Sequence, residues 1–231
     1  PPLEEQRRIV EVLVAINDCD ASCRLVAESL LAMRRSMQDA LLFPSPKDES
    51  QGTVPLTDLC SINPSDPPLP EEAPFVPMEC VTEWQRDITR FEVRGSRGGV
   101  RATSGDVLMA RITPCLENGK IAQVPEHVGR CGGSTEFVVM RAKEKVDRSY
   151  LYWLASSDRL RNAAIGMMSG TTGRQRLAGT DLADIRVLAV SETEQTRLGQ
   201  TLDAVEKRRQ AALSRLQAAR SLRRAALNEL L

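Results

Sequence analysis

Leu3-Glu4-Glu5-Gln6-Arg7-Arg8-Ile9-Val10-Glu11-Val12-Leu13-Val14-Ala15-Ile16 returns 189 positions later as Glu192-Thr193-Glu194-Gln195-Thr196-Arg197-Leu198-Gly199-Gln200-Thr201-Leu202-Asp203-Ala204-Val205. In this register Arg8 falls on Arg197, Ile9 on Leu198, Leu13 on Leu202, Ala15 on Ala204 and Arg35 on Arg224, without a gap through to Leu41-Leu42 and Leu230-Leu231. Two copies so far apart are not a stacked solenoid, which needs several short contiguous units. They predict two arms holding one central module.

The first copy carries Ile9, Val12, Ile16, Cys19, Cys23, Val26, Leu30, Met33, Met37 and Ala40 in alternating steps of three and four, the pattern of a coiled-coil seam. Pro1-Pro2 and Glu4-Glu5 suit a helix start, because proline has no amide to satisfy there and acids complement the positive helix end. Pro44 and Pro46 are expected to stop it. The second copy opens on a capping-box pattern, Ser191-x-x-Glu194, with a looser seam through Leu198, Leu202, Val205, Ala212, Leu216, Ala219, Leu222, Ala226 and Leu230. At ~1.5 Å per residue each helix would run about 60 Å. One runs into the module and the other out of it, so they are expected to pair antiparallel.

Between the arms, short apolar runs at 75–81, 106–112, 120–124, 136–142 and 185–190 read as strands separated by Pro- and Gly-rich turns. Residues 147–168 read as one helix with Asp147 as its N-cap. The expected fold class is therefore α+β, with a coiled-coil helix over 1–43, a central domain over 44–190 and a second coiled-coil helix over 191–231.

The chain has 231 residues, 31 Lys or Arg against 31 Asp or Glu, one histidine and six cysteines. Zero net charge hides a basic second arm: from Thr196 onward Arg197, Lys207, Arg208, Arg209, Arg215, Arg220, Arg223 and Arg224 face only Asp203, Glu206 and Glu229. No apolar run is long enough to span a membrane and no signal-like leader opens the chain, which predicts a cytoplasmic protein. The cysteines are expected as free thiols. Cys19 and Cys23 stand four apart on a helix, but His127 is remote and no C-x-x-C pair exists, so no metal site is expected. No cofactor is expected either.

Two polar segments carry the candidate chemistry. Residues 105–122 contain Arg111, Thr113, Asn118 and Lys120; Asn118-Gly119 marks a tight hairpin tip, while the four polar side chains together suit a nucleic-acid groove. The segment Ser169-Gly170-Thr171-Thr172-Gly173-Arg174-Gln175-Arg176 reads either as a plain surface connection or as a set of base readers. Arginine suits guanine, glutamine adenine, and threonine a phosphate or the thymine methyl. Arg97 and Arg101, with Arg90 and Arg94, add phosphate-type cations around a glycine-rich turn. Asp66-Pro67-Pro68-Leu69 approaches the tetrad with which amino-methyltransferases hold a flipped base, but Leu69 replaces the aromatic and no G-x-G cofactor strand accompanies it. Without a P-loop, H-E-x-x-H or G-x-S-x-G, the chain does not read as an enzyme.

Pro1-Pro2-Leu3-Glu4-Glu5-Gln6-Arg7-Arg8-Ile9-Val10, the long helix that follows and residues 105–122 together resemble the specificity subunit of type I restriction-modification enzymes. Such subunits hold two target-recognition domains, each followed by a conserved helix, and the helices form an antiparallel coiled coil. The resemblance implies one recognition domain between two conserved helices, corresponding to the C-terminal half of such a subunit. It implies binding of double-stranded DNA at one half of a bipartite target, with a methyltransferase (modification) subunit and, in the full complex, a restriction/translocase subunit as partners. A half-subunit that homodimerises on a symmetric site is the alternative, followed by a small methyltransferase acting through Asp66 to Leu69.

Overall fold

The computed structural model describes residues 2–43, 52–94, 98–171 and 173–230. In chain order these form helix α1 (Leu3–Leu42), strand β1 (Thr53–Pro55), the short helix α2 (Leu56–Leu59), β2 (Cys60–Ile62), β3 (Ala73–Val76), β4 (Glu92–Arg94), β5 (Val100–Ala102), β6 (Val107–Ala110), β7 (Ile121–Gln123), β8 (Cys131–Gly133) and β9 (Phe137–Ala142). Helices α3 (Arg148–Ala155) and α4 (Asp158–Gly166), strands β10 (Ser169–Thr171), β11 (Arg174–Arg176) and β12 (Arg186–Leu188), and helix α5 (Glu192–Leu230) complete the chain. The chain divides into a helical unit, Pro1–Met37 with Thr201–Leu231, and a central unit, Gln38–Gln200.

Two four-stranded sheets build the central unit, ordered β2-β9-β6-β7 and β4-β3-β8-β5; all pairings are antiparallel except β3 with β8. Leu108, Ala122, Phe137 and Val139 from the first sheet join Val76, Ala102 and Cys131 from the second in one buried cluster. Because side chains alternate across a strand, Val107, Met109, Ile121, Val138 and Met140 lie on the other face, which α3 covers. Strand β6 is therefore buried at all four positions, as expected for a strand covered on both sides.

Several boundaries differ from the sequence expectation; the strand expected over 75–81 is β3, Ala73–Val76, after which Met78–Cys80 forms a single 3-10 turn. The single helix expected over 147–168 is two. Asp147 caps α3, its carboxylate accepting from the Tyr150 amide at 2.7 Å, but Ser157 ends that run by capping α4, its hydroxyl accepting from the Leu160 amide at 3.2 Å. The capping box at Ser191 is only half made. The Glu194 amide donates to Ser191 Oγ at 3.4 Å, while the Glu194 carboxylate is taken by Arg197 at 2.8 and 2.6 Å. The helix stop assigned to Pro44 and Pro46 falls outside the described residues.

In the helical unit the seam runs one position away from half of its expected places. Val12, Val26 and Met33 are 53, 49 and 42% exposed and Cys19 is exposed, whereas Leu13, Asp20, Ala27 and Arg34 turn inward beside Ile9, Ile16, Cys23 and Leu30. Both choices are perfect heptads and differ only in taking the third or the fourth residue. Charge decides between them. Asp20 accepts from Arg220 Nε at 2.8 Å and Arg34 donates to Glu206 at 3.2 Å, two cross-helix pairs whose numbers run oppositely, so the helices are antiparallel. On α5, Leu198, Leu202, Val205, Ala212, Leu216 and Ala219 are buried as expected, Leu222 is exposed, and Arg209 fills the position between Val205 and Ala212. No helix among the described residues is long and apolar enough to cross a membrane.

Candidate nucleic-acid interface

The segment Ser169 to Arg176 is not a plain loop. It is the hairpin β10–β11, with Ser169 opposite Arg176, Gly170 opposite Gln175 and Thr171 opposite Arg174. Its sequence lacks the apolar alternation of a half-buried strand, so nothing local announces it. Gly170 sits at φ 131°, and a Cβ there would stand 2.7 Å from the Arg174 carbonyl oxygen; only glycine closes this pair.

The ribbon is tied to the chain leaving β6. The Thr113 amide donates to the Gln175 carbonyl at 3.2 Å, the Leu177 amide donates to the Arg111 carbonyl at 2.8 Å, and Ile112 bridges Arg176. Because paired residues share a face and neighbours alternate, Ser169, Thr171, Arg174 and Arg176 lie on one face and Gly170 with Gln175 on the other. Arg174 is exposed, Gln175 is half-buried, and with Ile112 and Thr113 they line a cavity of about 330 Å³. The Thr113 hydroxyl is buried with no hydrogen-bond partner among the described residues. Arg176 is exposed and pairs with the Glu136 carboxylate.

Asn118-Gly119 closes no two-residue turn. The connection between β6 and β7 runs ten residues, 111–120, and contains the cis Thr113–Pro114 bond. Its far end is anchored inward: Lys120 Nζ donates to the Met78 carbonyl at 3.1 Å, Arg161 donates to the Glu117 carbonyl at 2.9 Å, and Gly119 lies on the Trp84 indole, where a Cβ would meet ring atoms at 2.8 Å. Asn118 stays exposed. Lys120 thus ties the loop to the turn at Met78, while Arg111 and Thr113 stand beside the ribbon.

Arg101 is exposed and donates to the Asp66 carbonyl at 2.7 Å. Arg97 and Thr172 lie outside the described residues, and Thr171 is exposed on β10. Sequence reading missed Arg141. Its guanidinium takes both carboxylate oxygens of Asp66 at 2.7 and 2.6 Å and both of Asp106 at 2.9 and 2.6 Å. This pairing holds the Asp66 carboxyl below the usual carboxylate range. Each Asp66 oxygen is thus engaged by Arg141, a structural use of the carboxylate that opens the tetrad. The 75-residue gap between the partners leaves no local signal that would find them.

Among the described residues no group of three or more His, Cys, Asp or Glu is placed to hold a metal. All six cysteines are free; burial pushes the Cys60 and Cys131 thiols up to about 12, so they behave as core side chains.

No family model matches the chain. It is 27% identical over 155 residues to the type I restriction enzyme EcoEI specificity subunit of Escherichia coli, covering 63% of this chain and 26% of that protein. It is 30% identical over 132 residues to the EcoAI specificity subunit of the same organism, covering 53% and 22%. The chain thus spans about a quarter of the length of the curated relatives it matches. In solved structures it aligns over 100% of its length, and 61% of the other chain, with the type I restriction-modification S subunit of M. genitalium, at a TM-score of 0.65 and 12% identity. The HsdS subunit of Thermoanaerobacter tengcongensis aligns over 99% and 58%, with a TM-score of 0.56 and 19% identity. These two likenesses establish the fold, and the curated matches extend it to sequence. The chain is related to the specificity subunits of type I restriction enzymes, with one α+β body between two long helices.

Proposed function

We propose that this chain reads one half of a bipartite double-stranded DNA target and docks a methyltransferase subunit, through which a restriction/translocase subunit joins, without catalysis of its own. The β10–β11 ribbon carries the reading. A two-stranded ribbon fits the major groove, and here one face offers Thr171, Arg174 and Arg176 while the main chain is fastened to Arg111 and Thr113 behind it. Arg174, exposed on that face, carries the guanidinium suited to a bidentate guanine contact, while Gln175, on the opposite face, reaches a base only along the ribbon's edge. Arg101, Arg111 and Arg97 supply phosphate contacts, Thr113 and Asn118 the polar rim, and Lys120 positions the loop.

The arms support the docking half of the reading. Val12, Cys19, Val26 and Met33 form an exposed stripe at heptad spacing on α1, the kind of surface a partner subunit covers. Helices of about 60 Å separate two readers by one to two duplex turns of ~34 Å, so an unread spacer divides the target.

The test is DNA selection with the reconstituted methyltransferase complex. Arg174→Ala should relax preference at one base position by about 1–3 kcal/mol, and Gln175→Ala should have the smaller effect. Selection of the same sequence with the same affinity by both variants would sink the ribbon assignment.

A further inference from the structure

A second cavity of about 360 Å³ lies on the same unit, lined by Asn63, Ser65, Arg101, Arg111, Thr135 and Phe137 among others. Arg111 is half-buried. Its Nε is buried without a hydrogen-bond partner, and no ion pair or hydrogen bond engages the guanidinium among the described residues. Leaving a partly desolvated cation unpaired is costly. Among the described residues the neighbouring guanidinium groups are engaged: Arg141 holds Asp66 and Asp106, Arg130 donates to the Pro67 carbonyl at 2.7 Å, and Arg101 donates to the Asp66 carbonyl. The one carboxylate in the lining, Asp66, is neutralised by Arg141 and is not available to Arg111.

The lining selects among anions. Ser65 and Thr135 are exposed hydroxyls that can donate, and two arginines supply positive charge. Among the described residues the one aromatic in the lining, Phe137, is buried in the inter-sheet core and offers no ring face to stack a base. The cavity therefore suits a tetrahedral oxyanion and not an extruded nucleobase. Its position is also informative: Arg111 lines this cavity, while the next two residues, Ile112 and Thr113, line the cavity under the β10–β11 ribbon. A duplex whose bases meet the ribbon brings a strand of its backbone past Arg111.

We infer that the cleft between Asn63, Ser65, Arg101, Arg111 and Thr135 is a phosphate seat that sets the register of the DNA backbone while the ribbon reads the bases. This inference rests on the DNA-recognition reading above and divides its labour: Arg111 binds every sequence equally, and Arg174 tells sequences apart.

Two measurements on the full chain test it. In the first, the Arg111 Nε–H resonance, assigned by its loss in Arg111→Lys, is followed while inorganic phosphate is added at constant ionic strength against chloride. The seat predicts a saturable shift with phosphate alone. In the second, duplexes of unrelated sequence are titrated between 50 and 200 mM salt by anisotropy. Arg111→Ala should weaken all of them by the same factor, about tenfold, and reduce the slope of log affinity on log salt by about 0.9, the value of one lost phosphate.

A change of sequence ranking in Arg111→Ala makes it a base reader and overturns the seat. So does an unchanged salt slope with no phosphate shift. If phosphate shifts Arg111 while wild-type protein binds no duplex, the seat stands and the DNA reading falls.

Discussion

Replacing Glu206 by alanine should cost the helical unit about as much as truncating a large apolar side chain in its seam. Glu206 accepts from Arg34 at 3.2 Å, from Arg209 at 3.0 and 3.0 Å and from Gln210 at 2.7 Å. The Arg34, Arg209 and Glu206 side chains are only 2, 6 and 5% exposed, so solvent screens them little. Removing the shared carboxylate leaves two buried guanidinium groups of like charge without the anion between them. Breaking a buried pair by removing one partner costs about 3–5 kcal/mol. For a chain of this length each kcal/mol moves the melting midpoint by about 2–4 °C, which puts the expected drop at roughly 6–20 °C. Thermal unfolding followed by far-UV circular dichroism measures it.

The complementary variant separates stranded charge from lost packing. Arg34→Leu, Glu206→Leu and Arg209→Leu together remove the three ions that pair here, and such replacements are often neutral or stabilising by about 1–4 kcal/mol. A Glu206→Ala protein within about 1 kcal/mol of wild type would refute the reasoning, because surface-like pairs have that worth. A triple variant as unstable as Glu206→Ala would show that the volume, and not the charge, mattered.

Two further outcomes are expected. Arg141 holds the Asp66 carboxyl below its ordinary range, so the pair contributes stability above that range and loses it as pH falls through the lowered value. The stability gap between wild type and Asp66→Asn should be widest at neutral pH and close toward pH 3 in urea titrations; a pH-independent gap would contradict the pairing. Gly199→Ala places a Cβ 2.9 Å from Asp147 Oδ1 and 3.2 Å from the Tyr150 amide nitrogen, disturbing the cap of α3. Overpacking costs about 1–3 kcal/mol and exceeds the ~1 kcal/mol that alanine gains in a helix, so urea denaturation should show net destabilisation, and a more stable variant would contradict this packing.

The two arms were legible because a heptad repeat over forty residues is a strong periodic signal, and Asp147 was legible as a cap because its chemistry is local. The phase of the seam was not. Taking Val12, Val26 and Met33 over Leu13, Ala27 and Arg34 follows hydrophobicity faithfully, yet ion pairs reaching across to Glu206 and Arg220 turn the polar set inward. The break at Ser156-Ser157 hides inside an apolar periodicity that continues on both sides. Strands of three residues such as β5 and β8 depend on partners far along the chain, and β10–β11 is polar throughout, so neither alternation nor propensity marks them. Of the candidate site, the residue types in the two polar segments were visible; which of them share a face, and that Arg141 takes both oxygens of Asp66, depend on tertiary pairing.

The ribbon's attachment separates what it says from what holds it. Thr113 grips the carbonyl of Gln175 and Leu177 grips the carbonyl of Arg111, so the splice uses peptide groups common to every residue type. Gly170, and Gly173 at φ 78°, are the positions that geometry conscripts. Positions 171, 174 and 175 can therefore exchange their letters without loosening the splice; if the ribbon reads bases as proposed, a new target preference lies one or two point changes away from the old one, on an unaltered chassis.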